Sequence, residues 1–204
     1  MCGIVGIVDA GGVSIQLYYA MYALHHRGQE SAGISTYDGT SLCKFKGQGL
    51  VADVFSPSVL KDLKGTAGIG HVRYPTTGAN LPENIQPLNF QFKEHFISVA
   101  HNGNLVNTCE LRREYEQAGQ MFTTTTDTEI IAKILIEEIT ASGCVEDAVH
   151  LCMRDGVMPL LGKLFVDMFH YAEGVDHSCH DAQMGYRDIR ILVERHGLFT
   201  DCTY

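Results

Sequence analysis

Residues 2–8, CGIVGIV, form an apolar, largely β-branched run that starts one residue into the chain and is stopped by Asp9 and the Gly11-Gly12 pair. A run this short cannot span a membrane, and its composition predicts a buried strand that closes in a turn. It has no basic n-region and too little apolar length for a signal peptide.

The segments that follow alternate between strand-like and helix-like patterns without the regularity of βαβ units. Ser14 is placed to cap a helix running to about Leu24, with Ile15, Leu17, Tyr18, Met21, Tyr22 and Leu24 forming a broad apolar face and His25-His26-Arg27-Gly28 ending it. Between Ala32 and Val51, short pieces broken by Asp38-Gly39, Gly47 and Gly49 predict antiparallel hairpins. Ser56-Pro57 reads as an N-cap and first residue of a short helix to Leu63. Ala67–Val72 and Phe96–Ala100 read as strands, each running into a polar turn. Asn107 and Glu110 resemble a capping box for a helix that Gly119 stops. Asp127 or Thr128 caps the next, where Ile130, Ile131, Ile134, Leu135 and Ile139 recur at helical spacing, and a last helix is expected over Val145–Met153. Together these predict a layered α+β domain.

At 204 residues the chain suits one domain. Its formal charge of −9 argues against nucleic acid or an anionic membrane as the main partner and favours a small molecule. Seven cysteines, scattered and without a CxxC pair, indicate neither a disulfide framework nor a zinc ribbon. A soluble protein of a reducing cytoplasm is expected.

A cysteine in an apolar row is ordinarily an inert buried thiol. Position alters that for Cys2: once Met1 is trimmed, one residue carries both a thiol and a free α-amine, whose reference pKa of about 7.7–8.0 suits it to accept the thiol proton. Such a nucleophile needs donors for an oxyanion. Asn102 and Gly103, at the end of a strand, could supply a side-chain amide and a backbone N–H, although an Asn-Gly pair alone is usually a plain turn. Arg73, after a strand, offers a planar fork for a carboxylate, and Asp127 an anion for an ammonium. Singly they would pass as a surface charge and an N-cap.

The segments MCGIVGI, HHRGQESAGI, GIGHVRYPTTG, AHNGNLVN and TTTTDTEII, in this order and spacing, resemble the glutaminase domain of the amidophosphoribosyltransferases, within the class II glutamine amidotransferases. The resemblance covers about residues 1–150. It implies an αββα sandwich of two antiparallel sheets, the N-terminal-nucleophile hydrolase fold, and hydrolysis of glutamine to glutamate and ammonia. Cys2 would be the nucleophile, its own amine the base, and Asn102 with Gly103 the oxyanion hole. Arg73 would bind the glutamine carboxylate and Asp127 its ammonium, while Thr76, Tyr74 and Arg27 would shape or support the pocket. No cofactor is implied for this domain. In the whole family enzyme ammonia passes to a phosphoribosyltransferase domain, to which magnesium would belong, and makes 5-phosphoribosylamine for purine biosynthesis. That domain has no counterpart in this sequence.

Residues 151–204 depart from the pattern, which suggests a frameshift or a truncation of a longer enzyme. The departure removes a hairpin expected at the centre of a sheet and predicts instability there unless residues 188–195, DIRILVER, supply a substitute strand. His177, Cys179 and His180 match no common zinc spacing, and Val157–Phe169 is too short and too interrupted to cross a membrane. Other readings stand beside the main one: a free-standing glutaminase subunit serving another synthase, an inactive remnant, or a Cys-His hydrolase pairing Cys2 with His26, His71 or His101. Self-association is left open.

Overall fold

The computed structural model describes residues 2–74, 81–92, 95–143, 148, 165–168 and 188–193. The first sheet holds strands β1 (Gly3–Val8), β2 (Ser31–Tyr37), β3 (Leu42–Gln48) and β4 (Ala67–Arg73) in the order β1-β4-β2-β3, every pair antiparallel. The second holds β5 (Leu88–Phe92), β6 (His95–His101), β7 (Phe165–Met168) and β8 (Asp188–Val193) in the order β5-β6-β8-β7.

Helices cover the outer faces. Helix α1 (Ser14–Ala23), with the short α2 (Val51–Val54) and α3 (Pro57–Asp62), packs on the first sheet through Val13, Leu17, Met21, Ala32, Ile34 and Val72. Helices α4 (Thr108–Gln117) and α5 (Asp127–Ser142) lie on the second, whose core joins Ile97 and Val99 to Leu105, Ile130, Ile131, Ile134 and Leu135. The inner faces meet: the Tyr37 and Phe96 rings lie 6.4 Å apart, and Asn89 accepts hydrogen bonds from Ser35 and Ser98, both at 2.8 Å. The result is the expected αββα sandwich.

Several local expectations change. Ser14 is the first helical residue of α1 and Val13 its cap, because the Val13 N–H is taken by the Gly65 carbonyl and its own carbonyl receives Leu17 N–H. Helix α1 buries a narrow stripe, Leu17 and Met21, and leaves Ile15, Tyr19 and Tyr22 exposed. Neither Asp127 nor Thr128 caps α5, since the cap residue is Thr126 and the Asp127 side chain turns to another partner. Asn107 is the cap residue of α4 but its side chain makes no cap bond. Gly47 lies inside β3 rather than breaking it. Ser56 does cap α3, accepting from Val59 N–H at 3.3 Å, and Gly119 follows α4 with φ +85°.

The second sheet is mixed rather than antiparallel throughout. Strand β8 runs antiparallel to β6, pairing Val193 to Ile189 with Ile97 to His101, whereas β7 pairs with β8 in parallel. Asp188–Val193 thus fills the substitute-strand position beside β6. Residues 194–195 of that segment, the helix expected over Val145–Met153 apart from Ala148, and the His177, Cys179 and His180 group lie outside the described residues.

Candidate active site

The site lies where the ends of β1, β4 and β6 approach the start of α5. Gly3 pairs with Val72, so Cys2 falls beside the segment in which β4 ends, and its Sγ lies 4.0 Å from the Tyr74 carbonyl. Arg27, in the one-turn helix His25–Arg27, donates from Nε to the Cys2 carbonyl at 3.0 Å. That turn seats close to β4 because Gly28 has no side chain: a Cβ there would stand 2.6 Å from the Arg73 carbonyl carbon.

Arg73 is buried, unlike an ordinary surface charge, and its Nε lies 3.9 Å from Glu30 Oε2. Beyond β6 the chain turns through Asn102 and Gly103. An added Cβ at Gly103 would lie 2.5 Å from His101 Nε2, so the loop rests on the imidazole only because the residue is glycine.

Asp127 opens α5, where the helix N-terminus favours an anion. Its Oδ2 accepts the Leu105 N–H at 2.8 Å, and its Oδ1 faces His101 Nδ1 at 3.5 Å, an electrostatic contact rather than a formed hydrogen bond. Burial works to raise its pKa, but the His101 ring and the N–H groups of Leu105 and Thr128 outweigh it and hold the carboxyl below its ordinary range. Asp127 is therefore an ionised carboxylate at neutral pH.

Cys2, Arg73, Tyr74, Gly103 and Asp127 line one cleft of about 320 Å³, together with Gln86, His101 and Cys109. Arg27 and Asn102 stand just outside those walls, Arg27 behind the Cys2 carbonyl and Asn102 half-buried immediately before Gly103. Thr76 lies outside the described residues. The cleft has the size of a small-molecule site with a few convergent polar groups.

The histidines offered for a Cys-His pair lie elsewhere or face other groups. His26 Nδ1 is 3.1 Å from the Ala23 carbonyl. His71 is wholly buried, and burial, with Arg73 and His101 nearby, lowers its pKa to about 3, so it stays neutral. His101 faces Asp127.

Sequence reasoning missed the polar residues that hold the site together. Glu129 accepts the N–H groups of Thr123 at 2.9 Å and Thr124 at 2.6 Å, while Arg112 donates to the carbonyls of Thr124 and Thr126. Asn84 receives Thr125 N–H and donates to its hydroxyl. Gln86 joins His101 to Thr128. Glu129 alone carried a signal, as a charge on the apolar side of a periodic helix. Among the described residues no helix is long and apolar enough to cross a membrane, and no group of three His, Cys, Asp or Glu side chains could hold a metal ion.

Residues 71–150 match the family described as glutamine amidotransferase domain. The chain is 53% identical over 140 residues to the amidophosphoribosyltransferase of Methanothermobacter thermautotrophicus, covering 67% of this chain and 30% of that protein. With the Archaeoglobus fulgidus amidophosphoribosyltransferase the identity is 41% over 190 residues, 92% of this chain and 38% of the relative, so that similarity reaches past residue 150. Among solved structures, the allosteric regulatory enzyme of purine biosynthesis superposes with a TM-score of 0.67 at 39% identity, covering 75% of this chain and 32% of the other. Glutamine phosphoribosylpyrophosphate amidotransferase from B. subtilis, complexed with ADP and GMP, gives 0.62 at 40% identity, covering 74% and 32%. The chain spans about a third of the length of these relatives.

Proposed function

Because the chain carries a glutamine amidotransferase domain of the amidophosphoribosyltransferase kind, we propose that it releases ammonia from glutamine with Cys2 as the nucleophile. The observation that supports this most is convergence: Cys2, Arg73, Gly103 and Asp127, far apart in sequence, line one cleft.

Glutamine enters with its α-carboxylate toward Arg73 and its α-ammonium toward Asp127. With Met1 removed, the Cys2 amine takes the thiol proton and the sulfur bonds to the amide carbon, moving the carbonyl electrons onto oxygen. The Gly103 N–H and the Asn102 amide receive that oxyanion, an interaction that strengthens as the charge develops. When the tetrahedral species collapses, the amine returns its proton to the leaving nitrogen, and ammonia departs from a γ-glutamyl thioester. Water, deprotonated by the same amine, then releases glutamate and regenerates the thiol. Arg27 fixes the residue that performs both tasks by its hydrogen bond to the Cys2 carbonyl. Tyr74 completes the pocket wall.

The ammonia serves a phosphoribosyltransferase domain, as in the synthesis of 5-phosphoribosylamine for purines, or a separate synthase. Scattered cysteines suit a reducing cytoplasm for this work. Cys2→Ala tests the reading: glutamine-dependent ammonia release should fall to assay background while the far-UV spectrum and melting temperature stay unchanged. Retained turnover would remove Cys2 from the chemistry.

A further inference from the structure

Gln86 belongs to none of the groups that handle glutamine in the scheme above, yet it is buried at the cleft wall and spans the site. Its Oε1 accepts the His101 N–H at 2.6 Å, one residue before the oxyanion pair Asn102-Gly103. Its Nε2 donates to Thr128 Oγ1 at 3.0 Å, one residue after Asp127. Thr128 is fully buried, so both ends of the brace are shielded from water. The backbone of Gln86 is fixed in turn, because it abuts Gly33 of β2, where any Cβ would collide with the Gln86 carbonyl.

We propose that Gln86 is a specificity-determining brace, which sets the distance between the oxyanion loop and the Asp127 carboxylate and thereby selects glutamine by side-chain length over its shorter homologue asparagine. The inference rests on the proposed function, in which one end of the substrate is held by the oxyanion donors and the other by Asp127. With both ends fixed, a substrate one methylene shorter cannot reach both. A rigid site discriminates against such a change by about 10- to 200-fold. Two direct contacts also join these walls, Leu105 N–H to Asp127 Oδ2 at 2.8 Å and His101 Nδ1 to Asp127 Oδ1 at 3.5 Å, and both end on the carboxylate itself, whereas Gln86 ties the His101 backbone to the helix residue that follows Asp127. A buried hydrogen-bonding pair of this kind holds register more tightly than apolar packing, since losing either end strands a polar group.

The test uses the 204-residue chain and ammonia release from glutamine and from asparagine, reported as the ratio of kcat/KM values. Gln86→Leu should lower the glutamine value by about 10- to 100-fold and the asparagine value by much less, so the ratio narrows. Thr128→Val, which keeps shape and removes one end of the brace, should narrow it in the same direction but less, and it carries the test if Gln86→Leu fails to fold. Gln86→Glu retains an acceptor for His101 N–H and can accept from the Thr128 hydroxyl, so it should preserve the ratio. A glutamine rate that falls with the ratio unchanged in both Gln86→Leu and Thr128→Val would reduce Gln86 to packing and overturn the proposal, as would a ratio narrowed equally by Gln86→Glu. A wild-type chain inert toward glutamine overturns the proposed function and the brace together, whereas an active wild type with unaltered ratios in the variants overturns the brace alone.

Discussion

The two sheets of the sandwich are built in different ways. The first is assembled within residues 3–73 from four antiparallel strands, with β2 held between β3 and β4 over its whole length. In the second, β5 and β6 lie close together in sequence, but the strands beyond β6 come from residues 188–193 and then 165–168, and the outermost pairing is parallel. The site straddles this divide: Cys2, Arg27 and Arg73 belong to the first half, and Asn102, Gly103 and Asp127 to the second. One half therefore presents the proposed nucleophile from a locally closed structure, while the other presents the proposed oxyanion loop from a strand whose far side is paired by a distant segment. Long-range pairing is the slower kind to form.

The sharpest way to break this contrast is Ile191→Pro. Strand β8 lies between β6 and β7, so proline there removes a ladder donor whichever neighbour it serves and strands its acceptor, at a cost of about 1–3 kcal/mol before any steric clash. Hydrogen exchange should show protection lost across Ile97–His101 while β1, β2 and β4 keep theirs, with glutamine turnover falling too. Equal loss in both sheets would mean that they unfold as one unit.

Asp127→Ala probes the second half more gently. It removes the proposed ammonium partner and the acceptor for Leu105 N–H, and should raise KM for glutamine about 10- to 100-fold with a smaller change in kcat. A change in kcat alone, with KM intact, would move Asp127 from binding to chemistry.

The smallest effect at neutral pH is expected at His71 on the first sheet. Its folded pKa of about 3 lies below the ordinary 6.5, so between those values the unfolded chain binds the extra proton and stability rises with pH. The contribution is complete above about 6.5 and lost as pH falls toward 3. In His71→Gln the slope of unfolding free energy against pH in that window should flatten by up to about 1.4 kcal/mol per pH unit. An unchanged slope would show that His71 does not titrate on unfolding.

The sequence revealed these halves unequally. Apolar runs, caps and turn residues marked β1 to β4, β6 and the three longer helices, α1 and α5 by the period that burial on one face leaves and α4 by the residues at its ends. Leu88–Phe92 alternates apolar and polar residues and so carried a strand signal, yet β5 had no place among the expected elements. Helix α2, with four residues, is too short for any period to register. The exposed side of α1 misled in the other direction: Tyr22 is exposed and stacks between Tyr18 and His25, so its apolar spacing reported contacts within the helix region, whereas Tyr18 and Leu24 do pack against the core. That Cys2, Arg73, Gly103 and Asp127 share one cleft was legible because the roles proposed for them, a nucleophile, an oxyanion donor and two opposite charges, answer to one chemistry. Gln86, Asn84 and Arg112 were not, since their bonds join segments 12 to 42 residues apart and no local pattern encodes them.

The central claim, that Cys2 supplies both sulfur and base, is tested most directly at the amino terminus itself. The chain would be prepared with a removable amino-terminal extension, trimmed by a specific protease so that Cys2 becomes the first residue, with intact mass checked before and after. Ammonia release from glutamine should be absent with the extension in place and appear on trimming. Equal turnover by the extended chain would contradict the account.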